Sequence, residues 1–170
     1  MNVQPDKPLT EEIVARLLMQ PRWVKNFCLP RYTPADWWEN DVFQLTPAGY
    51  WTEFEIKLTF GDFRADEHKQ QEHRRPELKE WRLEKKHDLL KKSDSGRGPN
   101  KFYFVAPVGV IPVALVPTWA GLIEINTVQS GTIWEMAPTV RAPRLHMHKV
   151  TAELRQAAVS TCYWRFHRLR

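Results

Sequence analysis

The stretch Trp38-Glu39-Asn40-Asp41-Val42-Phe43-Gln44-Leu45, then Thr46-Pro47-Ala48-Gly49, then Tyr50-Trp51-Thr52-Glu53-Phe54-Glu55-Ile56-Lys57-Leu58-Thr59 reads as a β-hairpin. Pro47 and Gly49 supply the turn chemistry. Both arms are rich in the aromatic and β-branched residues that strands favour. Side chains alternate along a strand, so Glu53, Glu55 and Lys57 share one face, as do Glu39 and Asp41 on the first arm. Folding the hairpin about Ala48 sets Asp41 opposite Glu55 and Glu39 opposite Lys57, at the roughly 4.5–5.5 Å of a cross-strand pair. In this register three acids and a lysine meet on one patch, and a slip of one residue would change the pairing. The other face carries Trp38, Val42, Phe54, Ile56 and Leu58 and turns to the core.

Two facing carboxylates without a counter-ion repel, and one of them is pushed to a higher pKa. A hard divalent cation such as Mg²⁺, bound by one or two carboxylates plus water, relieves that repulsion. A lysine beside it can orient a water or stabilise charge developing on a phosphate. That is the equipment of metal-assisted phosphodiester hydrolysis. The plainer reading of the same spacing is an exposed hairpin face laced with cross-strand ion pairs.

Outward from the hairpin, Thr10-Glu11-Glu12-Ile13 starts a helix with Thr10 as its cap and Ile13, Val14, Leu17 and Leu18 as its apolar stripe, ending by Pro21. Residues 23–36 read as irregular. Asp62 reads as the cap of a helix that Pro76 interrupts, and a second helix is expected from about Glu77 to Lys92. Residues 93–100 form a loop rich in Ser, Asp, Gly and Pro. Strands are expected at 101–106, 121–125 and 132–136, and a terminal helix at 151–168 with Leu154, Ala158, Cys162 and Phe166 near one face. The prediction is one domain over residues 1–170, of α/β class, with a central mixed sheet of about four to five strands flanked by helices.

The 170 residues carry a formal net charge of +5, with 42% hydrophobic and 26% charged residues, which argues against wholesale disorder. Residues 137–170 hold seven Arg or Lys against Glu153 alone, so that segment is +6 and the remainder −1. Two cysteines, Cys28 and Cys162, make no disulfide framework and no zinc motif, and read as buried small hydrophobes. Residues 102–123 lack charge, but Pro107, Pro112 and Pro117 break a spanning helix; a strand, a turn and a second strand, all buried, are expected there. With no apolar leader at Met1–Pro8, a cytoplasmic protein with no membrane role is expected, in a bacterial or phage-infected cell.

Asp41 followed by Glu55-Ile56-Lys57 resembles the Asp…Glu-x-Lys core of the PD-(D/E)XK nuclease superfamily. The segments Glu39 to Val42, Glu53 to Lys57, Asp62-Phe63-Arg64-Ala65-Asp66 with Lys69, Gly98 to Pro107, Val116 to Glu124 and Ala142 to His146 are similar, in order, to small phage and bacterial MmcB-like proteins of DNA repair. The resemblance spans roughly residues 10–168. It implies a restriction-endonuclease-like fold and a DNA nuclease, with Mg²⁺ or Mn²⁺ held by Asp41, Glu55 and the Ile56 carbonyl, Lys57 positioning water, and a further acid from Glu11 or Glu12. Glu39 joins Asp41, Glu55 and Lys57 as a catalytic candidate. Asn40 stands where the superfamily's name has Pro. The alternative is a catalytically inactive nucleic-acid-binding or phage accessory protein on the same fold, and a homodimer is compatible with either.

Among the remaining residues, Lys69, Lys85, Lys86, His87, Arg97 and Lys101 are the candidates for contacts to a DNA backbone, because they are mostly uncompensated and adjoin a loop. Trp37 and Trp38 are the one pair considered for base stacking. His146 and His148 lack a third metal ligand and read as solvated or near phosphate.

Overall fold

The computed structural model describes residues 8–20, 26–68, 70–75, 80–92, 96–127 and 134–168. In chain order the elements are α1 (Glu11–Leu18), β1 (Phe27–Tyr32), β2 (Asn40–Leu45), β3 (Trp51–Ile56), α2 (Phe60–Asp66), β4 (Gln70–Arg75), β5 (Glu80–Lys85), α3 (Lys86–Lys91), β6 (Lys101–Pro107), β7 (Gly121–Thr127), β8 (Trp134–Val140) and α4 (Ala152–Arg168). Six strands form a mixed sheet in the order β1-β2-β3-β6-β7-β8, and β4 pairs only with β5. The β1-β2-β3 meander is antiparallel, β6 and β7 run parallel to β3, and β8 closes the edge antiparallel.

The hairpin has the expected register. Val42 faces Phe54 and Phe43 faces Glu53, and one step further the same register faces Asp41 with Glu55. Gly49 ends the turn at φ +90, a conformation that suits a residue without Cβ. The strand alternation then sorts the core into two layers. Val42, Phe54 and Ile56 pack with Val14, Leu17 and Leu18 of α1. On the opposite face Phe43, Leu45 and Trp51 pack with Phe63 of α2, Leu89 and Leu90 of α3, and Ala158 of α4. Thr10 caps α1 as expected, accepting from the Ile13 N–H.

Several expectations are corrected. The sheet has six strands rather than four or five, because residues read as irregular supply β1, where Pro30 sits opposite Val42. The second helix expected over 77–92 is confined to Lys86–Lys91, and Glu80–Lys85 is a strand. There Trp81 and Leu83 alternate with Glu80, Arg82 and Glu84, a period of two that the charge-rich composition obscures. The cap of α2 is Thr59, not Asp62, with the Thr59 hydroxyl accepting from the Asp62 N–H. In the uncharged run, Val108, Val113 and Leu115 are exposed. Among the described residues no helix is long and apolar enough to cross a membrane.

Candidate functional site: a buried charge chain opening at Asp41

The face carrying Glu53, Glu55 and Lys57 is not a solvated hairpin face. It is covered by α2 and α3, and all three side chains are buried. Burying a charge costs several kcal/mol unless partners replace the lost water, and here the partners form a chain of alternating sign. The Trp37 indole N–H donates to Glu53 Oε2 at 2.7 Å. Lys86 Nζ lies 2.5 Å from Glu53 Oε1 and donates to Glu55 Oε2 at 2.8 Å. Lys57 Nζ donates to Glu55 Oε1 at 2.9 Å and to Asp66 Oδ1 at 2.7 Å. His87 Nε2 meets Asp66 Oδ2 at 2.8 Å.

The electrostatics differ along this chain. Burial pushes Lys86 toward the neutral form, but Glu53, Glu55 and Asp66 outweigh it and hold the ammonium firmly charged. Burial likewise pushes Asp66 up, and the His87 hydrogen bond and Lys57 overcome it, leaving the carboxyl well below its usual range. Burial takes Glu53 up to about 7 against the pull of Lys86. Asp41 rises to about 6, first through burial and then through the Glu55 charge facing it.

Asp41 is the open end. It accepts from the Ile56 N–H at 2.7 Å, and among the described residues no lysine or arginine forms an ion pair with it. It lines a cavity of about 330 Å³ together with Glu11, Glu12 and Arg16 of α1, Pro30 and Arg31 of β1, and Ile56. Arg16 pairs with Glu12 at 2.5 Å. Arg31 has a left-handed φ of 46 inside a strand, which costs an L-residue roughly 1–2 kcal/mol. Its carbonyl and that of Pro30 accept from the Arg165 guanidinium of α4.

The cluster sets four carboxyl groups, of Asp41, Glu53, Glu55 and Asp66, against the two ammonium groups of Lys57 and Lys86. The oxygens of Asp41, Glu55 and the Ile56 carbonyl are hard donors, and a carboxylate oxygen has two lone pairs to offer. This donor set fits Mg²⁺ or Mn²⁺ in charge and in chemistry. Among the described residues no three His, Cys, Asp or Glu side chains form a metal-holding group, so water would complete such a set.

The structure brings Asp41, Glu55 and Lys57 together, and it brings Glu11 and Glu12 to the same mouth. Glu39 lies apart, exposed and ahead of β2, and Lys57 takes Asp66 instead. Lys86 is no phosphate contact, since it is 1% exposed and spent on Glu53 and Glu55. Arg97 is occupied by Glu84 and the Asp36 carbonyl. Lys85 and His87 line a different cavity, beside Arg64, Lys91 and Trp119. Lys101 is half-buried at the start of β6. Lys69 lies outside the described residues.

Trp37 and Trp38 are buried and offer no stacking face. His146 is held by Asn100 and the Gly98 carbonyl rather than solvated. Cys28 and Cys162 are half-buried. Asn40 is buried, accepting from the Trp51 indole and donating to the Trp38 carbonyl, which gives that position a structural task of its own. Sequence reasoning missed Lys86 and Asp66 as partners, Trp37 as a donor, and Arg31. Only the apolar neighbours Leu89 and Leu90, three and four residues after Lys86, signal an inward face there.

No family model matches the chain, and no curated protein matches it. A solved structure, SPO1766, a protein of unknown function from Silicibacter pomeroyi, is similar over 100% of this chain and 94% of its own, at 20% identity and a TM-score of 0.59. That likeness is one of fold, the mixed α/β fold that in this chain has a six-stranded central sheet flanked by helices.

Proposed function

We propose that the protein is a divalent-metal-dependent DNA nuclease of PD-(D/E)XK type, on a restriction-endonuclease-like fold, working at the Asp41 mouth of the charge chain. One observation carries this reading: Asp41 faces Glu55 across two strands, with no ion-paired lysine or arginine among the described residues, at the wall of a cavity edged by further carboxylates and arginines. A helix on each side of the sheet agrees with the same family reading. Asp41, Glu55 and the Ile56 carbonyl would hold Mg²⁺ or Mn²⁺. When bound, the metal supplies Lewis-acid activation of water and charge neutralisation at phosphate.

The chain's own residues do the rest. Lys57, fixed between Glu55 and Asp66, holds a cation at a defined point, where it opposes the negative charge that builds on a phosphate under attack. Lys86 and Trp37 keep Glu53 and Glu55 in one orientation, so little reorganisation is needed. Arg16 and Arg31 bring guanidinium groups to the cavity, a group suited to two-pronged phosphate contact.

End-labelled single- and double-stranded DNA incubated with Mn²⁺ tests the proposal. Cleavage is expected with Mn²⁺, is lost with chelator, and falls at least a hundredfold in Asp41→Asn. Cleavage that survives both chelator and Asp41→Asn overturns it. A second reading has its own support, because both Glu55 oxygens already have ammonium partners. On that reading the protein binds nucleic acid without cutting it, and salt-sensitive DNA binding with no cleavage is the result that favours it.

A further inference from the structure

The C-terminal helix carries Arg155, Arg165 and Arg168 against Glu153 alone and also, among the described residues, the largest group of exposed aromatic side chains. Ala158 is fully buried, and Leu154 and Cys162 pack against the core, which fixes the inward face of α4. The outward face bears Tyr163 and Trp164, 55% and 62% exposed, with Phe166. The rings touch. Tyr163 stands 5.5 Å from Trp164 and 4.3 Å from His167, centroid to centroid. Beside Trp164 runs a groove of about 530 Å³ lined by Ser160, Thr161, Arg165 and Arg168.

An exposed aromatic cluster is costly in water and marks a surface that meets something. Its surroundings narrow the occupant. Helix α4 carries three arginines against Glu153 alone, so a two-fold contact with a second copy through this face would bring like charges together. An anionic partner with flat apolar faces meets both features at once. Nucleic acid with unpaired bases is such a partner: its bases stack on aromatic rings and its phosphates pair with arginine. A duplex keeps its base faces stacked on each other and has none to offer. The groove also adjoins the candidate site. Arg165, on its wall, donates to the carbonyls of Pro30 and Arg31, and those two residues line the Asp41 cavity. With Arg165 so engaged, Arg168 is the guanidinium left to meet a phosphate.

We propose that the outward face of α4, with Trp164 and Tyr163 as stacking rings and Arg168 as a phosphate contact, is a platform for single-stranded nucleic acid that feeds the Asp41 cavity. It rests on the nucleic-acid reading above and adds that the substrate, or the end of it that is engaged, is unpaired.

Fluorescence anisotropy of labelled (dT)20 and of a blunt 20-base-pair duplex, both in chelator, tests it on the full chain. The (dT)20 is expected to bind more tightly than the duplex, and more weakly as salt rises. Trp164→Ala is expected to lose about tenfold or more of (dT)20 affinity, and Trp164→Phe to stay within about threefold of the parent. Binding of (dT)20 that depends on Trp164 in a protein that never cleaves DNA supports the platform and removes the hydrolase. Cleavage and (dT)20 binding that both ignore Trp164→Ala overturn the platform and leave the hydrolase standing. Duplex preference, a dimer in sedimentation that Trp164→Ala dissolves, or Trp164-dependent binding to anionic vesicles without (dT)20 binding also overturns it.

Discussion

The two ends of the buried charge chain use the same chemical groups to opposite effect. At the inner end Glu53 is fully buried, with an indole N–H on one oxygen and the Lys86 ammonium on the other. At the outer end Asp41 has one backbone N–H, the Glu55 charge opposite, and an open cavity. A carboxylate supplied with its own cation is part of the architecture. A carboxylate left short of one beside solvent is where a cation from outside can gain binding energy.

The largest expected effect breaks the inner end. Lys86→Met removes the ammonium between Glu53 and Glu55 and leaves two buried carboxylates facing each other, which should cost about 3–5 kcal/mol in urea unfolding. Trp37→Phe keeps the packing and removes one donor from Glu53, for about 1–3 kcal/mol. At the outer end Asp41→Asn should leave stability within about 1 kcal/mol of the parent, because the amide oxygen can still accept from Ile56 and the repulsion with Glu55 is gone.

The pH dependence sharpens the contrast. Asp41, raised from 3.8 to about 6, and Glu53, raised from 4.5 to about 7, keep protons in the fold that the unfolded chain has already released. Stability from these two groups is therefore full below about pH 4 and declines as pH rises toward 7. Asp66, held low, works the other way: its contribution is present above about pH 4 and is lost on acidification. Urea midpoints across pH 3–8 in the parent and in Asp41→Asn separate these contributions. The smallest effect is expected at Glu39, exposed and outside the chain, where Glu39→Gln should change stability by less than about 0.5 kcal/mol.

The parts of this arrangement legible in the sequence are those set by short-range periodicity. The hairpin register follows from the turn at Pro47–Gly49 and the alternation on both arms, so Asp41 opposite Glu55 could be read directly. The Thr10 cap and the α1 stripe could be read the same way, and with them the place of Glu11 and Glu12. What escaped depends on distant parts of the chain. Lys86 sits in Lys85-Lys86-His87, which looks like a solvated basic run, and only the packing of α3 on the sheet turns the middle lysine inward. Asp66 needs α2 to fold back over Lys57. Strand β1 was hidden because Pro30 within it, Pro34 just after it and Arg31, at positive φ, suit a loop as well as an edge. Trp37 and Trp38 looked like a stacking pair because nothing local shows that they are covered.

The account depends most on the cation at Asp41. Titration of Mn²⁺ into the protein, with free Mn²⁺ followed by its electron paramagnetic resonance signal, tests it directly. One Mn²⁺ per chain is expected in the parent and in Glu39→Gln, with affinity rising as pH passes about 6 and Asp41 loses its proton, and a loss of at least tenfold in Asp41→Asn. Equal Mn²⁺ affinity in the parent and Asp41→Asn, or no bound Mn²⁺ in either at pH 8, would contradict it.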